Sequence, residues 1–73
     1  MDRVTRAHLD SALKTLNSIK QMEGAHFALD RAYGGYRLVK RYDATGGERD
    51  LTNRGTAREI YDIMRGIEEF YRA

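Results

Sequence analysis

Apolar residues recur every three or four positions in the first third of the chain, which is the spacing of one helix face. The positions concerned are Leu9, Ala12, Leu13, Leu16 and Ile19. Asp2 or Thr5 can cap the start of this helix, and Gly24 is placed to end it in the left-handed conformation. The pattern therefore predicts an amphipathic helix over residues 5–22.

A second helix is predicted near the end of the chain. The sequence TARE, residues 56–59, is typical of a capping box, in which Thr56 and Glu59 each accept from the other's backbone N–H. Beyond it, the apolar positions form one broad stripe: Ile60, Ile63, Met64, Ile67, Phe70 and Tyr71. We expect this stripe to pack into the core, because the opposite face is acidic and not rich in lysine as in a membrane-surface helix.

Between the helices the pattern changes to the alternation of strands. Residues 26–33 and 36–42 flank Gly34-Gly35, which predicts a hairpin whose type I′ turn is centred on the two glycines and pairs Tyr33 with Tyr36. This register places on the core-facing side Phe27, Leu29, Leu38 and Tyr42. It places on the exposed side Ala28, Asp30, Arg37, Val39 and Arg41.

The sequence DATGG, residues 43–47, predicts a second turn, followed by a short strand from Glu48 to Thr52 with Leu51 pointing inward. The expected fold class is α+β, with the element order α-β-β-β-α. It is a three-stranded antiparallel meander with both helices packed on one face. At 73 residues, the chain is expected to form one small domain.

The composition excludes several chemistries. The chain has no cysteine, and its two histidines, His8 and His26, are too far apart in sequence for a helical zinc pair. The glycine-rich segments lead into strands and lack the spacing of a phosphate-binding loop. The serines lack the surroundings of an activated nucleophile.

Glu48 and Asp50 share a strand face, which makes a weak cation site a minor alternative to solvated carboxylates. We therefore predict a non-enzyme with no catalytic residue, no metal and no cofactor.

The charge distribution points to a binding surface. The net charge is +2, but residues 31–58 alone carry +4. Tyrosine and arginine are common interface anchors, and many of them lie in this segment. The candidate binding residues are Tyr33, Gly34, Gly35, Tyr36, Arg37, Val39, Arg41, Arg54 and Arg58.

The polar N-terminus and the lack of a long apolar run predict a cytoplasmic protein with no membrane partner. A chain this small without disulfides or metals is also expected to self-associate, most simply as a homodimer. Protein binding through the outer sheet face and the Tyr33–Tyr36 turn is the preferred function.

Two other functions stay open. The element order resembles that of double-stranded-RNA-binding domains, which would imply RNA contacts from the first helix, the first hairpin loop and the start of the last helix. Here that hairpin loop is YGGY, without the usual proline and histidine, and Arg54 and Arg58 stand where a lysine cluster is usual. The second alternative is a small anionic ligand held by arginines in an oligomer.

Residues 31–67, RAYGGYRLVKRY…GGERDLTNRGTAREIYDIMRGI, resemble a group of short proteins encoded by bacteriophages and prophages. The shared features are a YGG hairpin followed by LV, a GG turn and a helix start of the form RGT-x-[RK]-E-[IL]-Y. Tyr33-Gly34-Gly35 and Arg54-Gly55-Thr56 carry the match. The resemblance implies a small accessory protein made in a bacterial cell. Phage proteins of this size often act by binding a host protein, so we expect a host protein as the partner, which the binding could inhibit.

Overall fold

A computed structural model of the protein describes residues 3–72. Helix α1 spans Arg6–Ile19, and strands β1, β2 and β3 span Ala25–Ala32, Gly35–Tyr42 and Glu48–Asp50; helix α2 spans Ala57–Arg72. The strands form one antiparallel sheet in the order β1-β2-β3. The predicted α+β fold class and element order are therefore confirmed. Within residues 3–72, neither helix is long and apolar enough to cross a bilayer.

Both helix starts are fixed by side chains. The Thr5 hydroxyl accepts from the His8 N–H at 3.4 Å, and His8 Nδ1 accepts from the Thr5 N–H at 3.0 Å. The other predicted cap, Asp2, lies outside the described residues. The predicted capping box of α2 is confirmed, since Glu59 Oε1 accepts from the Thr56 N–H at 2.9 Å and Thr56 Oγ1 accepts from the Glu59 N–H at 3.1 Å. The bonds from Thr56 lower the pKa of the Glu59 carboxyl.

Helix α1 ends earlier than the sequence predicts. The Lys20 N–H donates to the Leu16 carbonyl at 2.8 Å, and the backbone at Lys20 is already extended. Gly24 does have a positive φ, 74°, but it lies in the turn that joins Met22 to Ala25. The predicted role of Gly24 as the helix stop is therefore wrong, because it reverses the chain into β1 instead.

The β1–β2 hairpin turns one residue earlier than predicted. Its central residues are Tyr33 and Gly34, with φ of 52° and 73°, and Gly35 is the first residue of β2. Positive φ at both central positions is the requirement of a type I′ turn. The predicted turn type is consistent with these angles, but the glycine pair does not form its centre.

Moving the turn by one residue shifts the register by two positions, so every side chain keeps its predicted face and changes its partner. Leu29 lies opposite Leu38, and Asp30 lies directly opposite Arg37. Pairs of apolar residues and pairs of opposite charges stabilise a sheet by up to about 1 kcal/mol each. These pairs help to offset the cost of a left-handed conformation at Tyr33.

The core lies between the two helices and the inner face of the sheet. Its buried members are Leu9, Leu16, Phe27, Leu38, Ile60 and Met64. The helices run parallel: the His8 and Tyr61 rings are 6.3 Å apart near their starts, and Lys20 Nζ lies 5.4 Å from the Tyr71 ring centroid near their ends. Each helix therefore covers one side of the same sheet face.

The sequence assigned several apolar residues to the wrong environment. On the outer face, Ala28 and Val39 lie opposite each other and are both buried, although exposure was predicted. They lie between charged neighbours whose long side chains can cover them. Conversely, β3 ends at Asp50, and Leu51 is exposed. Three members of the α2 stripe are also exposed: Ile63, Phe70 and Tyr71.

Candidate interaction surface

The arginines of the outer sheet face are paired with carboxylates. Arg37 Nη2 lies 2.7 Å from Asp30 Oδ2, and its Nη1 lies 3.0 Å from Asp50 Oδ2. Arg41 Nε donates to Glu48 Oε2 at 2.9 Å. Val39, between the two arginines on this face, is fully buried. Three predicted binding residues are thus brought together, but as an internally neutralised surface that offers little free positive charge.

Arg54 belongs to the same cluster, although it comes from the loop before α2. Its Nη2 donates to Asp30 Oδ2 at 2.8 Å, and its Nη1 lies 3.2 Å from the Ala32 carbonyl and 3.4 Å from that of Gly35. The bond from Arg54, followed by the charge of Arg37, lowers the pKa of the Asp30 carboxyl despite partial burial. Arg54 therefore clamps the end of the hairpin.

The two glycine motifs of the sequence meet at this clamp. A Cβ at Gly35 would lie 2.9 Å from Arg54 Cγ and 3.1 Å from the Gly55 carbonyl oxygen. Tyr36 and Gly55 exchange two backbone hydrogen bonds, both at 2.8 Å. Gly35 is needed here for close approach, since any side chain would displace the loop. The segments YGG and RGT thus form a structural joint between the hairpin and α2.

Arg58, the last predicted arginine, lies apart from this cluster on the exposed side of α2. Its Nε lies 3.2 Å from Asp62 Oδ2, one helical turn away. Each of the four predicted binding arginines therefore faces a carboxylate: Arg37, Arg41, Arg54 and Arg58. This pairing weakens both the hypothesis of RNA binding and the hypothesis of anionic-ligand binding at this surface. Counterion release from a nucleic acid needs cations that can reach phosphates.

The tip of the hairpin has a different character. Tyr33 is 99% exposed, and its ring projects from the turn into solvent. Behind it, the Arg31 guanidinium lies 5.8 Å from the Tyr36 ring centroid. The predicted site did not include Arg31. Its position in RAYGGY, two residues before Tyr33, could have indicated that it lies beside the turn.

The outer edge of β1 is partly open. The Asn17 side chain of α1 binds both backbone groups of Phe27, accepting from its N–H at 2.8 Å and donating to its carbonyl at 3.0 Å. By the alternation of an antiparallel ladder, the backbone groups of Leu29 and Arg31 point the same way, away from β2. Nothing in the sequence pattern marked Asn17 as a cap on this edge.

An apolar groove lies between α2 and the inner sheet face. It encloses about 530 Å³ and includes Phe27, Lys40, Leu51, Ile63, Ile67 and Phe70 in its walls. Phe70 is 75% exposed. The sequence missed this groove because the pattern assigned the whole α2 stripe to the core.

The acidic residues do not assemble a cation site in the described part of the chain. Within residues 3–72, no three metal-ligating side chains converge. The Glu48 and Asp50 carboxylates, considered above for a cation, are held by arginines instead. A hollow of about 700 Å³ beside the 51–55 loop mixes Arg37 and Arg54 with Asp50 and Glu59, so it has no excess of positive charge for an anion.

Comparison with known proteins gives no match: no protein-family model, no curated protein and no solved structure is significantly similar to this chain.

Proposed function

We propose that this protein is a non-catalytic binding module that holds an extended segment of a partner protein at the tip and free edge of the β1–β2 hairpin. The observation that carries the proposal is Tyr33, a fully exposed aromatic residue with a φ of 52°. Following the resemblance to phage-encoded proteins, the partner would be a protein of a bacterial host cell.

The choice of tyrosine at this position is costly for the isolated chain. A non-glycine residue in the left-handed region costs roughly 1–2 kcal/mol, and asparagine or glycine is preferred at the centre of a type I′ turn. Tyr33 also gains nothing from packing, since its ring lies in solvent. A partner that buries the ring would gain an aromatic anchor that the turn already holds in place, at little cost in conformational entropy.

The open edge next to Tyr33 supplies the second part of the site. The outward N–H and carbonyl groups of Leu29 and Arg31 can pair with an added strand, as in other cases of strand addition. Asn17 blocks the edge at Phe27, so the added strand would be short and would end beside the turn. Arg31 favours a partner segment with an acidic residue near an apolar one. Such binding would inhibit the partner protein if the bound segment formed part of the partner's own active or binding site.

The test is affinity capture from a bacterial host lysate, with and without nuclease, using three forms of the protein. Tyr33→Asn removes the ring while suiting the turn, so we expect unchanged or higher thermal stability together with at least about tenfold weaker capture. Tyr42→Ala, which removes a partly exposed tyrosine at the far end of the hairpin, is the matched control and should capture the partner normally.

Capture that survives nuclease and is lost in Tyr33→Asn supports the proposal. Equal capture by Tyr33→Asn and the wild type would place the partner on another surface. Loss of all capture after nuclease treatment would favour nucleic acid, and a steep salt dependence of binding would then follow.

A further inference from the structure

The apolar groove along α2 is a second candidate binding surface, and its walls do not include Tyr33 or the open edge of β1. Ile63, Leu51 and Tyr71 are each about two-fifths exposed, and Phe70 is mostly exposed. They border one continuous groove together with Ile67. Exposed apolar residues that border one groove can serve as a site of association.

Gly66 supplies a second observation. It lies in the middle of α2 between Ile63 and Phe70, where glycine is among the least favourable residues for a helix. A Cβ at Gly66 would meet nothing within 4 Å, so packing inside the described chain does not explain the glycine. A glycine on an exposed helix face allows the backbone of a second helix to approach closely.

The charges around the groove are complementary between one copy and another. Lys40 lies in the groove wall, 5.3 Å from the Tyr42 ring centroid, and is paired across the sheet with Arg49; within residues 3–72 neither cation forms an ion pair with a carboxylate. The 100° steps of α2 place Glu69 next to Gly66 and Phe70 on the side away from the core. Glu69 likewise forms no ion pair in the described part of the chain. The apolar groove thus lies between cations on the sheet and a carboxylate on α2 that form no ion pairs within residues 3–72, and this arrangement suits a two-fold interface between identical surfaces.

We infer that a second copy of this chain covers the groove in a two-fold symmetric dimer. The two α2 helices cross at Gly66, Phe70 of each copy enters the groove of the other, and Glu69 of each copy faces the cations around Lys40 of the other. The interface would bury the exposed apolar residues and add stability that this small chain, which has no cysteine, cannot obtain from a disulfide.

The first experiment is sedimentation equilibrium from about 1 to about 200 μM, the range over which mass action reveals a dimer of moderate affinity. The wild type should show a dimer that dissociates on dilution. Lys40→Glu and Glu69→Lys should each raise the dissociation constant at least about tenfold, because each places like charges together. The double variant should recover most of the wild-type affinity. Lys14→Glu, on the exposed side of α1, is the matched charge control and should leave the dimer unchanged.

The second experiment separates association from folding. Gly66→Ala should raise the melting temperature of the monomer at the lowest concentration, since alanine favours a helix, while raising the dissociation constant of the dimer at least about tenfold. Phe70→Ala should also weaken the dimer without altering the circular dichroism of the monomer. A single-chain mass across the whole range would overturn the inference. A dimer unaffected by Gly66→Ala and Phe70→Ala would overturn it as well, since the second copy would then lie on another surface.

Discussion

The guanidinium of Arg54 connects parts of the chain that lie far apart in sequence. It binds the Asp30 carboxylate of β1 and the carbonyl groups at the hairpin turn, and it does so from the loop that leads into α2. Arg37 completes the cluster from β2. The guanidinium suits this position because its several N–H donors can reach carbonyl and carboxylate acceptors at the same time. A lysine could not replace it in the same way, since its single ammonium group is compact.

Replacement of Arg54 by alanine should lower the free energy of unfolding by about 1–3 kcal/mol, because the hairpin carbonyls lose a donor and the stem over Gly35 is removed. Urea denaturation measures this effect. Arg58→Ala removes an arginine of the exposed i, i+4 pair and should cost no more than about 0.5 kcal/mol. Equal losses in the two variants would contradict the assignment of Arg54 as a clamp.

The acid sensitivity of the fold should depend on Asp30. The arginines hold its pKa below the ordinary value of 3.8, so the folded state favours the carboxylate more than the unfolded state does. Its contribution is therefore complete above the ordinary pKa and is lost as the pH falls through the lower folded-state value. We expect the stability of the wild type to decline below about pH 4, and Asp30→Asn should show a shallower decline.

A carboxyl titration by NMR checks the cause of this acid sensitivity directly. The pKa of Asp30 should move upward in Arg54→Ala, because the hydrogen bond from Arg54, the main cause of the lowered pKa, is then absent. An Asp30 pKa that is the same in Arg54→Ala as in the wild type would show that the clamp does not control this titration.

At the scale of elements, α1 both covers the core and protects the edge of the sheet. The amide of Asn17 occupies the two outward backbone groups of Phe27, as a neighbouring strand would. Edge strands that lack such protection can pair with other chains. The position of Asn17 near the end of α1 thus limits the open edge to the part of β1 beside the turn.

Asn17→Ala should expose both backbone groups of Phe27 and lower the free energy of unfolding by about 1–3 kcal/mol. Amide hydrogen exchange at Phe27 should become faster than the change in global stability alone explains. Thr15→Ala removes a hydroxyl that bonds only within α1, so it should leave this amide protected and serves as the control. Unchanged protection of Phe27 in Asn17→Ala would show that the side chain does not cap the edge in solution.

Local signals in the sequence were sufficient for the presence of both helices, for their N-terminal caps and for the two faces of the hairpin strands. The capping box at Thr56 and the alternation around Phe27 depend on neighbouring residues, so they are readable from the chain. The register was not readable, because hydrophobic alternation repeats every two residues and a shift of two satisfies it equally well. The choice depends on the Arg54 clamp, a contact between residues distant in sequence, and on the pairing of Asp30 with Arg37.

The candidate site was predictable only in part, for the same reason. Arginine-rich alternation identifies a charged sheet face, but it does not show that Arg37 and Arg41 are already paired with acids from β1 and β3. The exposed groove was missed because the α2 stripe is wider than the sheet surface available to cover it. A three-residue β3 leaves Leu51 and Ile63 outside the buried core.

For the molecule as a whole, the two proposed surfaces use different parts of the fold. The hairpin tip presents Tyr33 to solvent, whereas the groove lies beside α2 on the inner sheet face. A dimer through the groove would leave both hairpin tips accessible. Two tips on one particle can engage a multimeric partner with higher avidity than a single tip.

The whole fold should depend strongly on a few core side chains. A domain of this size is stabilised by only about 3–5 kcal/mol, and truncating a buried leucine to alanine costs about 2–5 kcal/mol. Leu38 is fully buried in the core at the centre of the sheet. Leu38→Ala should therefore leave much of the population unfolded at 25 °C, which is measured by circular dichroism and urea denaturation at a concentration low enough to keep the protein monomeric.

Ile63→Ala truncates a side chain of similar size in the exposed groove and should cost less than about 1 kcal/mol under the same conditions. A Leu38→Ala variant as stable as Ile63→Ala would mean that the core does not hold the sheet and α2 together.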